Sequence, residues 1–178
     1  GATQLANSAG LTAYPQAGGS WARAGLMLYG VSPVPREQSR LRPVVAWKTR
    51  IALIRELPAG HGVSYGRTFI TTRPTRVATL AVGYADGFPR QASGQGAAAL
   101  IAGGRCPVLG RVTMDQIMVD VTDLPEPPAP GDEAVLVGRQ GNLEITAPEL
   151  AAQGGTIAWD LFTGLGPRVR RCYSSFIF

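Results

Sequence analysis

Apolar and polar residues alternate through residues 45–53, and this alternation predicts a β-strand with one buried face. A period of two places successive side chains on opposite faces of a strand. The apolar face comprises Val45, Trp47, Thr49, Ile51 and Leu53, and the polar face comprises Lys48 and Arg50. A glycine- and proline-containing turn follows at residues 58–62.

Further short apolar runs predict strands along the rest of the chain. They lie at residues 75–87, 97–124, 133–138 and 168–178. The longest run is broken at Gly103-Gly104 and again near Asp115, so it predicts two or three strands. Several short strands separated by turns are typical of a small β-barrel or sandwich, and the fold class we predict is mainly β.

Two short helices are predicted near the C-terminus. Thr146 is a suitable N-cap, and Glu149 three residues later completes a capping box. Thr156 is suited to cap the second helix, and Gly164 or Gly166 to end it.

The first 30 residues have a different pattern. Residues 6–15 predict a loop that enters a short helix, and residues 21–30 predict a short apolar strand that ends in glycine. This order is typical of the last unit of a (β/α)8 barrel, whose final loops often bind phosphate through backbone N–H groups. Ser8, Gly25 and Leu26 are suited to that role.

Residues 31–43 contain three prolines and mixed charge, which predicts a linker. We therefore place a domain boundary between Gly30 and Pro43. The chain is divided into a barrel unit with linker at 1–35 and a β domain at 36–178.

The composition of the chain argues against several classes of function. The 178 residues carry 17 basic and 12 acidic side chains, a formal charge of +5, and Lys48 is the single lysine. The arginines are scattered apart from a cluster at residues 168–171, with no interleaved aromatic residues, so nucleic-acid binding is not expected. No apolar run reaches the ~20 residues of a membrane span. The first residues do not resemble a secretory signal, and we expect a cytoplasmic protein.

The cysteine and histidine content suggests neither a disulfide framework nor a metal site. Cys106 and Cys172 could form one disulfide, but two reduced thiols are the favoured interpretation. His61 stands alone in a turn, without the neighbouring ligands that a metal site needs.

Four residues that could take part in catalysis or binding lie in turns and breaks next to the predicted strands. Tyr65 lies between glycines at a turn, where a packing role is more common than a catalytic one. Because tyrosine has an ordinary pKa of about 10, it acts as a base only with cationic neighbours or desolvation. Tyr84 lies at a strand end and fits a cleft or a surface position equally well. Asp115, next to Met114, interrupts an apolar run. Its carboxylate could belong either to a bulge that faces solvent or to a functional site.

Several stretches together resemble the C-terminal part of bacterial alanine racemases. They are RAGLMLYG at 23–30, SYGRTF at 64–69, GYADGF at 83–88 and GRVTMDQ at 110–116. They occur in the order found in that family, and the resemblance covers nearly the whole chain.

The resemblance implies a pyridoxal phosphate (PLP) enzyme that interconverts L- and D-alanine for peptidoglycan synthesis. It implies a (β/α)8 barrel that holds the cofactor on a lysine, followed by a mainly β domain. The homodimer would be head-to-tail, so that the β domain of one subunit completes the site of the other.

The resemblance also assigns roles to single residues. Tyr65 matches the tyrosine that exchanges the α-proton on the face away from the cofactor lysine. Tyr84 and Asp115 match residues of the substrate entrance, and Met114 matches the residue whose backbone N–H holds the substrate carboxylate.

On the cofactor side, the resemblance assigns phosphate binding to Asn7, Ser8, Gly25 and Leu26. Arg23 matches the arginine that hydrogen-bonds the pyridine nitrogen. Lys48 matches a strand position of the β domain and is not expected to hold the cofactor.

Three hypotheses follow. We expect the chain to be the C-terminal part of an alanine racemase, without the lysine segment and inactive alone. The alternative is a non-catalytic β module that dimerises or docks onto a racemase barrel. A third is a truncated product without function, with apolar barrel residues such as Leu26 and Leu28 exposed.

Overall fold

The computed structural model describes residues 4–14, 16 and 19–173. Its strands are β1 (Gln4–Asn7), β2 (Trp21–Arg23), β3 (Trp47–Leu57), β4 (Gly62–Val63), β5 (Phe69–Ile70), β6 (Thr75–Leu80), β7 (Ala98–Ile101), β8 (Gly104–Leu109), β9 (Ile117–Asp120), β10 (Glu133–Gln140) and β11 (Leu143–Ile145). Its α-helices are α1 (Ser8–Ala13), α2 (Ala147–Gln153) and α3 (Ala158–Gly164). Short 3₁₀ turns cover Leu26–Tyr29, Pro35–Arg40, Tyr65–Arg67, Tyr84–Asp86 and Arg90–Ala92.

Six strands close into a barrel, which confirms the mainly β fold class. The neighbours run in the order β10-β3-β6-β9-β8-β7, and β10 pairs again with β7 to close the ring. The closing pair is Val135 and Leu100, both fully buried. Strand β11 extends the sheet beyond β10. Closure satisfies the edge hydrogen bonds that an open sheet would expose.

The alternation predicted for residues 45–53 holds for only half of strand β3. Trp47 and Ile51 are buried, and Lys48 and Arg50 between them are exposed. The register with β6 then shifts between Ile51 and Leu53, and Leu53 is 40% exposed. A bulge inserts one residue and turns the following side chains to the opposite face, so the prediction for Leu53 was wrong.

Strand breaks within the longest apolar run lie where the glycines and Asp115 predict them. Strands β7 and β8 are separated by residues 102–103, and the loop before β9 contains Asp115. Cys106 in β8 is buried in the barrel core and unpaired, like the exposed Cys172. Burial raises the pKa of the Cys106 thiol to about 12.

Helix α2 has the predicted Thr146 N-cap, but the Glu149 carboxylate pairs with Arg105 rather than completing the predicted capping box. Thr146 accepts a hydrogen bond from the Glu149 N–H, as an N-cap does. Helix α3 instead has Ile157 as its N-cap, while the Thr156 hydroxyl bonds the Asp160 carboxylate inside the first turn. Helix α3 ends at Gly164, one of the two predicted glycines. The predicted last strand is wrong for residues 168–173, which form no strand, and residues 174–178 lie outside the described part.

The N-terminal unit is a parallel β1-α1-β2 arrangement, as expected for a barrel fragment. Asn7 and Arg23 are partners in the parallel register. Residues 21–30 are not one strand, because β2 ends at Arg23 and a 3₁₀ turn covers Leu26–Tyr29. Leu28 is 72% exposed, but Leu26 is 3% exposed, so the expectation of an exposed Leu26 was wrong.

Residues 26–31, near the end of the predicted barrel unit, pack against the β domain. Leu26 and Val31 belong to the same buried cluster as the barrel core. Tyr29 stacks on Phe162 of α3 with ring centroids 5.2 Å apart. Within the described residues, no helix is long and apolar enough to cross a membrane.

Candidate functional site

One end of the barrel gathers three loops that carry the candidate residues of the β domain. Leu80 pairs with Ile117, and Leu109 pairs with Met118. The end of β6, the end of β8 and the start of β9 therefore lie at the same end of the barrel. We call the rim the Tyr65–Arg67 turn, the Gly83–Gly87 turn and the Gly110–Gln116 loop, together with the Leu165–Arg171 tail.

Tyr65 lies on the rim and is 73% exposed. Its turn joins β4 to β5, in agreement with the predicted turn position, and the Ser64 hydroxyl donates to the Arg111 carbonyl at 2.6 Å. The Arg111 guanidinium carbon lies 3.5 Å from the position that a Gly66 side chain would take. A cation therefore lies against the turn that presents the tyrosine.

The Tyr84 turn is bonded directly to the Met114 loop. The Tyr84 N–H donates to the Thr113 carbonyl, and the Ala85 N–H donates to the Met114 carbonyl, both at 3.0 Å. A Cβ at Gly83 would overlap the Met114 carbonyl, so glycine is what allows the two backbones to approach. Tyr84 is 41% exposed and Met114 52% exposed, so both side chains reach the surface of the rim.

An ion-pair cluster joins the rim to the C-terminal tail. Arg168 pairs through Nε with Asp86 at 3.1 Å and through Nη2 with Asp115 at 2.8 Å. The hydrogen bond to Asp115, followed by the charge of Asp86, raises the pKa of Arg168. Asp115 is therefore an exposed rim carboxylate held by an arginine, and it lies in a loop rather than in a bulge of a strand.

Asp86 anchors this cluster from inside. Asp86 is 8% exposed, and its carboxylate accepts the Gly83 N–H at 2.9 Å. The Gly166 N–H donates to the Asp86 carbonyl at 3.2 Å. The tail, the Tyr84 turn and Asp115 are thus connected through one buried carboxylate.

The sequence patterns did not point to Ser64, Asp86 or Arg168 as site residues. Arg168 was predicted only as one member of the basic cluster at residues 168–171. The available signal for Asp86 was an Asp-Gly pair in the turn that follows the buried strand β6, and such a pair is a common way to fix a turn. No local signal links Arg168 to residues 82 and 53 positions earlier, because that contact exists only in the folded chain.

The candidate cofactor residues form a second group on the β1-α1-β2 unit. Asn7 and Arg23 end the two parallel strands side by side. Asn7 caps α1 through the Gly10 N–H at 3.0 Å, and the buried Ser8 hydroxyl accepts from the Met27 N–H at 3.5 Å. Among the described residues, no hydrogen bond or ion pair joins this group to the rim.

Gly25 leaves space beside this group. Its φ of −69° is one that any residue adopts, and a Cβ there would meet nothing within 4 Å. Neither backbone conformation nor packing within the chain requires a glycine at this position. The open space at Gly25 leaves room for a ligand to approach the backbone there.

Lys48 lies on β3 and pairs with Glu133 at 2.9 Å. Both side chains are close to half exposed. The described residues contain no cluster of three or more His, Cys, Asp or Glu side chains that could hold a metal ion.

The architecture defines a β-barrel domain that follows a parallel βα unit in the same chain. A family model described as alanine racemase, C-terminal domain, matches residues 44–173. The chain belongs to the alanine racemase family.

Named relatives and solved structures support this family assignment. An alanine racemase from Symbiobacterium thermophilum is 49% identical over 170 residues, which is 94% of this chain and 45% of the relative. The crystal structure of alanine racemase from Streptomyces lavendulae superposes with a TM-score of 0.90 at 40% identity, covering 98% of this chain and 46% of that one. An alanine racemase from Bartonella henselae, solved with covalently bound pyridoxal phosphate, has a TM-score of 0.84 at 33% identity, covering 96% and 46%. The chain spans less than half the length of these relatives.

Proposed function

We propose that this chain forms the C-terminal part of a PLP-dependent alanine racemase that interconverts L- and D-alanine for peptidoglycan synthesis in the cytoplasm. In a head-to-tail homodimer, its rim would complete the site of the partner subunit. The observation that carries the proposal is the gathering of Tyr65, Tyr84, Met114 and Asp115 on one exposed rim, where the Ser64–Arg111 hydrogen bond brings in the Tyr65 turn. Among the described residues no hydrogen bond or ion pair joins that rim to the cofactor group of Asn7, Ser8, Arg23, Gly25 and Leu26, and a site shared between subunits would bring the two groups together across the dimer.

Each rim residue has a defined task in this proposal. The Tyr65 hydroxyl removes or returns the proton at the substrate Cα, and its exposure leaves it accessible to a second subunit. The Met114 N–H holds the substrate carboxylate. Tyr84 and Asp115 line the entrance, where the Arg168 pair keeps the Asp115 carboxylate in place.

The N-terminal group would hold the cofactor. PLP, when bound, withdraws electrons from the amino acid and so makes its α-proton acidic. The Ser8 hydroxyl, the Asn7 side chain and the backbone N–H groups of Gly25 and Leu26 would bind its phosphate. Arg23 would hydrogen-bond the pyridine nitrogen, and because a guanidinium does not give up its proton in a protein it leaves that nitrogen unprotonated.

Residues 1–178 by themselves are expected to be inactive. Lys48 is the single lysine among them, and it forms an ion pair with Glu133 on the β domain, where it would not hold the cofactor. A docking module is the second candidate, and one observation favours it. Tyr14, Trp21 and Leu28 of the N-terminal unit are each at least 65% exposed. Apolar exposure of this kind is typical of a surface that another polypeptide covers.

The test joins residues 1–178 to the N-terminal part of the Symbiobacterium thermophilum relative, in place of its matching region. We expect this chimera to racemise alanine with PLP, and Tyr65→Phe to lower kcat at least ~100-fold, the usual contribution of a positioned acid or base. Tyr29→Phe is the control, because Tyr29 stacks on Phe162 away from the rim. A folded, PLP-loaded chimera without activity, or a fully active Tyr65→Phe chimera, contradicts the proposal. Turnover by residues 1–178 alone contradicts the expected inactivity.

A further inference from the structure

The backbone beside Tyr65 has an unusual conformation. Ser64 has φ 62° and ψ −176°, a region that glycine occupies almost exclusively. Gly66 and Arg67 follow with φ of 71° and 48°. Such a conformation persists only where neighbouring contacts impose it, and a non-glycine residue there points to a function for its side chain.

The neighbouring contact is the first part of the Gly110–Gln116 loop. The Ser64 hydroxyl donates to the Arg111 carbonyl at 2.6 Å. At Gly110, with φ of 68°, an added Cβ would lie 2.6 Å from the Val63 carbonyl oxygen and 3.0 Å from the Ser64 Cβ. The two backbones are therefore in direct contact, and the serine hydroxyl links them.

We propose that Ser64 is a positioning residue that fixes Tyr65 relative to Met114. Arg111 and Met114 lie on the same loop, so one hydroxyl couples the tyrosine turn to the loop that would hold the substrate carboxylate. This inference rests on the proposed function, and it adds a residue to which the family resemblance assigned no role. The hydroxyl keeps the tyrosine oxygen and the carboxylate-binding N–H at a constant separation.

The first measurement is amide hydrogen exchange of residues 64–68 in the 178-residue chain, read at Arg67, whose N–H donates to the Ser64 carbonyl at 3.3 Å. Ser64→Ala is expected to speed this exchange at least ~10-fold, because the turn loses the bond that holds its strained backbone. Ser64→Gly tolerates the backbone angles but lacks the hydroxyl, so we expect faster exchange there as well. Ser93→Ala is the matched control. The Ser93 hydroxyl accepts from Val112 on the same loop at 2.9 Å, and its loss should leave exchange at residues 64–68 unchanged.

The second measurement is steady-state kinetics of the chimera. Ser64→Ala and Ser64→Gly are expected to lower kcat at least ~10-fold, since a small displacement of a reacting group costs rate steeply. KM for alanine should change much less, because the Met114 loop itself remains. A merely structural role would show lower stability with kcat of the remaining folded enzyme intact.

The outcomes separate the two proposals. Unchanged exchange and kcat in both Ser64 variants, with Tyr65→Phe inactive, would overturn the Ser64 inference alone. Faster exchange in Ser93→Ala equal to that in Ser64→Ala would also overturn it. If Tyr65→Phe retains full activity, the proposed function fails, whatever the Ser64 variants do.

Discussion

Asp86 holds the rim together through two contacts. Replacing it should lower the free energy of unfolding by two separate contributions, one from each contact. Its buried carboxylate accepts the Gly83 N–H and pairs with Arg168. Asp86→Ala leaves a buried N–H without its acceptor, at a cost of ~1–3 kcal/mol. Because Arg168 is half exposed, screening by solvent makes the loss of the ion pair the smaller contribution.

We therefore expect Asp86→Ala to lower the free energy of unfolding by about 2 kcal/mol, or Tm by about 4–8 °C for a chain of this size. Asp86→Asn keeps an oxygen for Gly83 and loses only the charge, so its loss should be less than half as large. The difference in the free energy of unfolding between the Asp86→Asn variant and the parent should shrink in high salt. The difference between the Ala and Asn variants should not.

Urea denaturation followed by tryptophan fluorescence measures these differences. Asp132→Ala is the matched control, because the exposed Asp132 carboxylate accepts the Ala129 N–H at 2.8 Å in a turn open to solvent. We expect its cost to be below ~1 kcal/mol, since water replaces the lost acceptor. Equal losses for the two alanine variants, or an Asn variant as unstable as the Ala variant, would refute this account of Asp86.

Further predictions follow from how closely the chain packs around single residues. Burial raises the pKa of Cys106 to about 12, so at pH 8 its thiol stays protonated, and a thiol reagent should modify only Cys172 in the native chain and both cysteines in urea. Two reactive thiols in the native chain would contradict this. A Cβ at Gly25 meets nothing within 4 Å, so Gly25→Ala should leave Tm unchanged but weaken PLP binding by the chimera several-fold in a fluorescence titration. Gly83→Ala, whose Cβ overlaps the Met114 backbone, should instead lower stability by ~1–3 kcal/mol.

The sequence predicted the six barrel strands, the breaks between β7, β8 and β9, and the mainly β class, because these depend on local pattern. Its errors lie where longer-range contacts decide. The register shift after Ile51 depends on pairing with β6, and alternation along one strand cannot reveal it. The 3₁₀ turn at Leu26–Tyr29 is stabilised by the packing of Leu26 and Tyr29 on the β domain, so an apolar run there does not form a strand.

The candidate site divides in the same way. Tyr65, Tyr84, Met114 and Asp115 could be named from motifs, since each follows a predicted strand and matches a family stretch. From the residues alone, Tyr65 favoured a packing role, and its exposure now argues against simple packing. The contacts that hold these residues could not be predicted, because Arg168 meets Asp86 and Asp115 only through the closed barrel and its returning tail.

The central claim is that Tyr65 exchanges the α-proton on one face of the substrate. The most direct test follows incorporation of deuterium at Cα in D2O by the Tyr65→Phe chimera, starting separately from L- and D-alanine. We expect exchange to be lost from one enantiomer, by at least ~100-fold, and retained from the other, which the cofactor lysine serves. Equal loss from both enantiomers, or no loss from either, would contradict the claim.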